Sequence, residues 1–384
     1  MSRQFCGKLF SKAVTFADYG RPQEVLRVTD RAIAPLSPTG VRVRILAAPI
    51  NPSDINQIEG VYPARPTFEP NVGAVAGNEG LAEVVALGEQ VAQRSPNSDG
   101  AGLQVGDWVL PFRRSFGTWQ TLASVEASQV VKIPKFTNVS PLAAATLTVN
   151  PSTAYRMLKD FVTLRPGDYV IQTAANSSVG RAVIQLCKAW GIRTINIVRD
   201  RDNLDQLVHE LTELGATLVL TDGQLREASV RAQLKELNGP VALGLDCCGG
   251  KVSTEVARVL SHGAPLVLYG AMSKKPLTFP VSLFIFKDIQ VRGYWMTRWY
   301  GQQDHETRLT MWTELLKLID QGALQSPSFH VIPWLVPPVA NADDVNGSLQ
   351  TKIQDALRDY SAGFTNKKFI LAMDPKLLTE KLSG

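Results

Sequence analysis

The sequence predicts an α/β protein with a β-rich first segment, a doubly wound parallel-sheet middle and a return segment that rejoins the first. Three observations carry this. Before about residue 140, short runs of alternating apolar and polar residues are cut by glycine and proline. From 167 onward, strand-length runs of Val, Ile and Leu alternate with helical stretches, as in a sheet covered on both faces. After 302 an amphipathic stretch is followed by one more apolar run. The expected boundaries are 1–150, 151–302 and 303–384.

The elements follow in order. Short strands and turns fill 13–49, and in VRVRILAAPI Val41, Val43 and Ile45 share one face while Arg42 and Arg44 take the other. EGLAEVVALG, VGDWVLPF and QTLASVEASQVVKIP continue as strands, with a polar loop at 96–102. SPLAAATLTVNPSTAYRMLKDF reads as two helices with a break at Asn150, because Pro151 cannot continue a helix begun upstream. Strand GDYVIQTA is followed by helix SSVGRAVIQLCKAWG, which ends at Gly191. Strand RTINIVR, helix DNLDQLVHELTELGA and strand TLVLTD come next, and VALGLDCCGG and APLVLYG prolong the alternation. DHETRLTMWTELLKLIDQG is a helix, and KKFILAM is the last strand.

The 384 residues are 45% hydrophobic and 20% charged, the balance of a folded chain of two or more domains. No apolar run approaches the roughly 20 residues of a membrane span. The net charge of +5 is scattered, a solvated basic surface or a patch for an anionic partner, and without a like-charge run it does not suggest nucleic acid. Cys6, Cys187, Cys247 and Cys248 form no CxxC pair and no disulfide framework, which suits a reducing compartment. The N-terminus carries Arg3, Lys8 and Lys12 before its first acid, Asp18. It is too polar for a secretory signal, and the remnant of a mitochondrial transit peptide is one reading of it.

The chemistry starts at the turn after GDYVIQTA. A dinucleotide fingerprint, G-x-G-x-x-G, needs this strand–turn–helix context, but only Gly180 of it remains. Asn176, Ser177, Ser178 and Val179 occupy the turn. Either they cap a helix, or they and the helix N-terminus hold a phosphate. About twenty residues further on, where an acid would take a ribose 2′-hydroxyl, Arg199 and Arg201 bracket Asp200. Two guanidinium forks suit a 2′-phosphate, which favours NADPH over NAD.

These features, with NPSDINQIEGVYP, GNEGLAEVVALG, FGTW, VNPSTAYRML, VRDR, GGKVSTEVARVL, YGAMSKKP and LFIFKDIQVRGYW, resemble the medium-chain dehydrogenase/reductase superfamily. Within it the chain is similar to the mitochondrial-type 2-enoyl thioester reductases, in the family's order over about 13–373. The resemblance implies a GroES-like catalytic domain (1–150, completed by 303–384) and a Rossmann domain for NADPH (151–302). Zinc-dependent relatives carry G-H-E. Here Gly77-Asn78-Glu79 and the lack of a nearby cysteine leave no ligand set for zinc. The resemblance makes Tyr62 the catalytic residue. It assigns Asn150 a cofactor contact, Asn176 to Val179 the pyrophosphate loop, and Arg199, Asp200 and Arg201 the 2′-phosphate turn. Tyr269, Gly270, Ala271 and Met272, and Tyr294, Trp295 and Met296, fall near the nicotinamide, and Lys368 reaches the cofactor. Ala271 and Ser178 depart from the family's usual small residues at those places.

The reaction implied is NADPH-dependent reduction of trans-2-enoyl thioesters, of CoA or acyl carrier protein, in fatty acid synthesis. A hydride goes to Cβ and a proton to Cα, and the enolate between them needs hydrogen-bond donors. A tyrosine has an ordinary pKa of about 10, so it keeps its proton at pH 7 and can act as a general acid. None of the histidines His209, His262, His305 and His330 lies near GVYP. On residues alone, Tyr62 is equally a loop aromatic packed over prolines. Phe286 and Trp295 line an acyl pocket or simply the core. Arg113, Arg114, Lys274, Lys275 and Arg298 meet carrier phosphates or water. A quinone oxidoreductase of the same superfamily and a non-catalytic nucleotide-binding relative are the alternatives. The expected assembly is a homodimer and the expected place the mitochondrial matrix, or the cytoplasm if the N-terminus is not a transit remnant.

Overall fold

A computed structural model describes residues 4–5, 8–70, 72–93, 102–334, 342–362 and 367–378. Arg3, Cys6 and, apart from Gly102, the loop expected at 96–102 lie outside the described residues. The chain divides into two compact units, Met1–Thr148 with Gln303–Asp320 and Ser326–Gly384, and Val149–Gln302 with Gln321–Gln325. The short return through Gln321–Gln325 joins the second unit, unlike the expected division. The reason is local: Gln325 N donates to Gln185 Oε1 at 2.7 Å, which ties the segment to the helix Ser178–Ala189.

In the first unit, a seven-stranded sheet runs in the order Phe329–Pro333, Lys368–Ala372, Gly40–Pro49, Leu81–Leu87, Trp108–Pro111 and Val130–Lys132, with Leu122–Glu126 also paired to Gly40–Pro49. The stretch expected as one strand at 120–134 is thus two, separated by the turn Ala127–Gln129. The return segment enters as a strand: Ile370, Leu371 and Ala372 pair antiparallel with Pro49, Ala48 and Ala47. That register brings the start of the strand, Lys368, to Ile50 and Asn51. The helix Ala342–Ala362, not anticipated in the sequence, lays Leu349, Ile353, Ala356 and Leu357 into the same core as Val41, Val43 and Ile45.

The second unit is a six-stranded sheet in the order Leu218–Thr221, Arg193–Val198, Tyr169–Thr173, Val241–Asp246, Pro265–Leu268 and Gln290–Gly293, every neighbouring pair parallel. All of Tyr169–Thr173 is buried, as a strand covered on both faces requires. The chain builds outward from this strand to one side, then returns to build the other side. The strand order therefore reverses between Thr173 and Asp246, where open α/β sheets bind ligands beyond their strands' C-terminal ends. The break expected at Asn150 spans Thr146–Val149, between the helices Pro141–Ala145 and Asn150–Asp160, so Asn150 opens the second helix.

Candidate active site

Each cofactor residue expected in the second unit falls after the C-terminal end of a strand or at the opening of a helix. Asn176 to Val179 follow Thr173, Arg199 to Arg201 follow Val198, Tyr269 to Met272 follow Leu268, and Tyr294 to Met296 follow Gly293. Ser177 is the N-cap of Ser178–Ala189, and its Oγ accepts from Gly180 N at 3.1 Å. The hydroxyl proton stays available, so capping and phosphate binding are compatible. Gly180 must be glycine for packing reasons. A Cβ there would stand 2.6 Å from the Ala175 carbonyl oxygen and 2.7 Å from its carbonyl carbon. Gly180→Ala is expected to cost about 1 to 3 kcal/mol of stability and to weaken NADPH binding, read by thermal unfolding with and without NADPH.

Sequence reasoning missed two side chains that hold these turns. Arg181 donates from Nε to Asn176 O at 3.2 Å and pairs with Glu210 at 2.7 Å, which pins the turn before the helix Ser178–Ala189. Asp246, fully buried, accepts from Thr173 Oγ1 at 2.6 Å, from Cys248 N at 2.9 Å, from Gly249 N and from Ser253 Oγ. It therefore bridges the two strands that flank the reversal point. Its only sequence signal was a lone acid inside the apolar run VALGLDCC.

Two features fit an anionic dinucleotide. Asn150 Nδ2 is buried with no hydrogen-bond partner among the described residues, and an orphaned buried donor is costly unless something fills it. Arg199 is exposed and Arg201 half-buried, and burial, then the charge of Arg199, hold the Arg201 guanidinium below its ordinary pKa. Two like charges this close are relieved by an anion between them. Tyr294 Oη lies 2.9 Å from Met296 Sδ with its ring edge-on to Phe161, and burial raises its pKa. Burial likewise holds the Tyr269 phenol well above its ordinary value. Gly270, Ala271 and Met272 are exposed, while Trp295 is half-buried. Phe286, offered as a pocket wall, is 75% exposed on the helix Val281–Lys287. Arg113, Arg114, Lys274, Lys275 and Arg298 are all exposed.

In the first unit, Tyr62 follows the helix Pro52–Ile58. The amides of Val61 and Tyr62 both donate to Asn56 O, at 2.9 and 3.1 Å. Downstream, Gln57 Nε2 donates to Ala64 O and to Ser115 Oγ, each at 2.9 Å. The loop is clamped to this helix on both sides of a half-buried phenol. Beneath the helix lies a buried polar cluster. Asn51 Nδ2 donates to Glu79 Oε2 at 2.8 Å and Thr148 Oγ1 to Glu79 Oε1 at 3.2 Å. Asp54 accepts from Asn51 N at 2.8 Å and from Asn78 N and Nδ2 at 3.1 and 2.8 Å. Asn78 thus serves as a hydrogen-bond donor to Asp54 and Gln57. Lys368 Nζ donates to Ile50 O at 2.9 Å and to Asn51 Oδ1. Burial lowers the Lys368 pKa, opposed by the charges of Glu79 and Asp54, and burial raises that of Asp54, opposed first by the Asn78 side chain. Among the described residues, no group of three or more His, Cys, Asp or Glu could hold a metal ion, and no helix is long and apolar enough to cross a membrane.

Comparison with known proteins places the fold in a family. Residues 37–135 match the alcohol dehydrogenase GroES-like domain and 178–318 the family described as zinc-binding dehydrogenase. The chain is 41% identical over 371 residues to the mitochondrial enoyl-acyl-carrier-protein reductase of Xenopus tropicalis, covering 95% of this chain and 96% of that protein. Among solved structures, it superposes on the Etr1p/NADP/crotonyl-CoA complex with a TM-score of 0.84 at 33% identity, over 94% of this chain and 99% of that one. The mitochondrial 2-enoyl thioester reductase Etr1p/Etr2p heterodimer from Candida tropicalis gives a TM-score of 0.83, with the same identity and coverage.

Proposed function

We propose a mechanism from one premise: this chain belongs to the family of mitochondrial enoyl-acyl-carrier-protein reductases. It is an NADPH-dependent oxidoreductase that reduces trans-2-enoyl thioesters to saturated acyl thioesters in fatty acid synthesis. In the proposal, the second unit holds the cofactor and the first supplies the proton. When bound, NADPH supplies the hydride that goes to Cβ of the substrate. Asn176 to Val179 take the pyrophosphate at the helix N-terminus, where unpaired N–H groups and the helix dipole favour an anion. Arg199 and Arg201, with Asp200 N-terminal to the second fork, take the 2′-phosphate. Asn150 spends its orphaned amide on the cofactor, and Tyr269 to Met272 and Tyr294 to Met296 wall the nicotinamide end. Lys368 was expected to reach the cofactor; its amine is already engaged by Ile50 O and Asn51 Oδ1, so only its remaining N–H is left for that contact.

Tyr62 Oη gives its proton to Cα, where the enolate carries basic carbon. The observation that carries this reading is the double clamp on its loop. A packing aromatic needs no such restraint, whereas an acid that must meet one carbon does. The test is NADPH oxidation with crotonyl-CoA and longer enoyl-CoAs against a quinone. Turnover on the thioesters supports the reading, and turnover on the quinone alone overturns it. A protein that binds NADPH and turns over neither is the non-catalytic relative.

Three finer points extend the proposal. The exposed Arg113 and Arg114, two residues downstream of the strand Trp108–Pro111, suit the anionic carrier, whether CoA phosphates or an acidic carrier protein. The place is the mitochondrial matrix, in line with the mitochondrial relatives. The assembly is a homodimer through the second unit. Among the described residues its strand Gln290–Gly293 is paired on one side only, and the helix before it exposes Val281, Ile285 and Phe286 by 66%, 67% and 75%. An open edge beside such an apolar patch suits a second copy of the same chain, whose matching edge completes both. Ile285→Asp with Phe286→Asp is expected to yield a folded monomer by sedimentation at concentrations where the wild type is a dimer. A wild type that sediments as a monomer refutes this.

A further inference from the structure

The strand register sets Lys368 beside Ile50 and Asn51 in a buried setting: Lys368 is 8% exposed, Glu79 and Asn51 are fully buried, and Asp54 is 1% exposed. A buried ion pair is a poor way to gain stability, because desolvating both charges offsets most of their attraction. Neutral, apolar replacements at both 368 and 79 would avoid that desolvation. The charge therefore needs a reason other than stability.

Its connections supply one. Lys368 holds Ile50 O and Asn51 Oδ1, the two residues that precede the helix Pro52–Ile58. Asn51 is in turn fastened to Glu79 by its side chain and to Asp54 by its backbone amide. Asp54, through Asn78, is joined to Gln57, and Gln57 holds Ala64 O behind Tyr62, while Asn56 O holds Tyr62 N in front. An unbroken run of hydrogen bonds thus leads from one ammonium group to the downstream flank of the Tyr62 loop, and the helix that this run holds carries Asn56, whose carbonyl takes the upstream flank. The charged groups facing it are Glu79 from the segment before Leu81–Leu87 and Asp54 from the helix itself, with the Tyr360 phenol of Ala342–Ala362 close to Asp54.

We propose that Lys368 is a positioning residue for the proton-transfer step, the cationic anchor that fixes the helix Pro52–Ile58 and through it the Tyr62 hydroxyl. The proposal rests on the reading of Tyr62 as the proton donor. It differs from a lysine acting on the cofactor in what it leaves untouched. A misplacement of about 1 Å can cost on the order of 10²-fold in rate without any lost contact to ligand.

The experiment is a double-mutant cycle on the full-length enzyme with crotonyl-CoA. Lys368→Met should lower kcat by about 10- to 100-fold and leave the NADPH Kd, read by the fluorescence of the bound cofactor, within about twofold of wild type. In a Tyr62→Phe background, the same substitution should cost less than about threefold, because the group it positions is gone. A merely structural lysine would cost the same in both backgrounds. Should Lys368→Met fail to fold around the buried Glu79 charge, Lys368→Met with Glu79→Gln removes both charges and must show the same kcat loss and the same non-additivity. Full multiplicativity with Tyr62→Phe, a wild-type kcat, or a large rise in NADPH Kd overturns the proposal, the last by assigning Lys368 to the cofactor. A wild-type rate in Tyr62→Phe alone defeats the proton-donor reading instead.

Discussion

Tyr62→Phe is expected to lower kcat by about 10²- to 10⁴-fold, the usual contribution of a positioned general acid, with NADPH affinity nearly unchanged. Phenylalanine keeps the ring, so the ring contacts of the half-buried side chain survive and the hydroxyl, with the proton it would give, is lost. A packing role predicts the opposite, an almost neutral substitution. The loop's backbone bonds to Asn56 O and the Gln57 bridge to Ala64 O do not involve the phenol, so the fold of the segment should persist. Thermal unfolding within a degree or two of wild type would confirm that the comparison is of chemistry. Wild-type turnover in the variant would remove Tyr62 from the mechanism and pass the proton to water or to Ser53, Asn56 or Thr148.

The cofactor unit was largely legible in the sequence, because its signals are local. A strand, a small-residue turn and a helix opening at Ser178 lie within a dozen residues, and the arginine pair follows the next strand directly. The parallel, doubly wound character of the sheet followed from the alternation itself, while its strand order came from the structure. In the first unit the sequence singled out Tyr62, and the buried polar cluster under the helix before it went unread. Lys368 and Asn51 are 317 residues apart, and nothing in KKFILAM says that its second lysine is buried against the Asn51 amide oxygen and the Ile50 carbonyl. Periodicity describes a strand's faces but not which strand it will join. The helix Ala342–Ala362 was missed because Asp343, Asp344, Asn346 and Gly347 make its first turns read as loop, and its apolar stripe begins only at Leu349. Phe286 failed in the other direction. A hydrophobic residue in a motif reads as core, yet at an unfilled sheet edge it is surface.

Arg199→Ala combined with Arg201→Ala is expected to reverse the cofactor preference. Each charge-assisted contact to the 2′-phosphate is worth about 1.5 to 3 kcal/mol, so the pair should raise the NADPH Kd by roughly 10²- to 10⁴-fold and change the NADH Kd by less than about threefold. The apo protein should behave differently. Arg201 already sits partly out of water beside a second cation, and its lowered pKa reports that strain. Removing two neighbouring like charges takes away some repulsion, so the cofactor-free double variant should unfold close to the wild-type temperature. The gain in unfolding temperature that NADPH gives the wild type should then disappear, because that gain follows the affinity by mass action. The effect should also fade at high salt in the wild type, since a partly exposed phosphate contact is screened over a Debye length of about 8 Å at physiological ionic strength. Equal losses of NADPH and NADH affinity would assign the two arginines to the fold of the turn rather than to the 2′-phosphate. A cofactor-free variant that unfolds several degrees early would say the same.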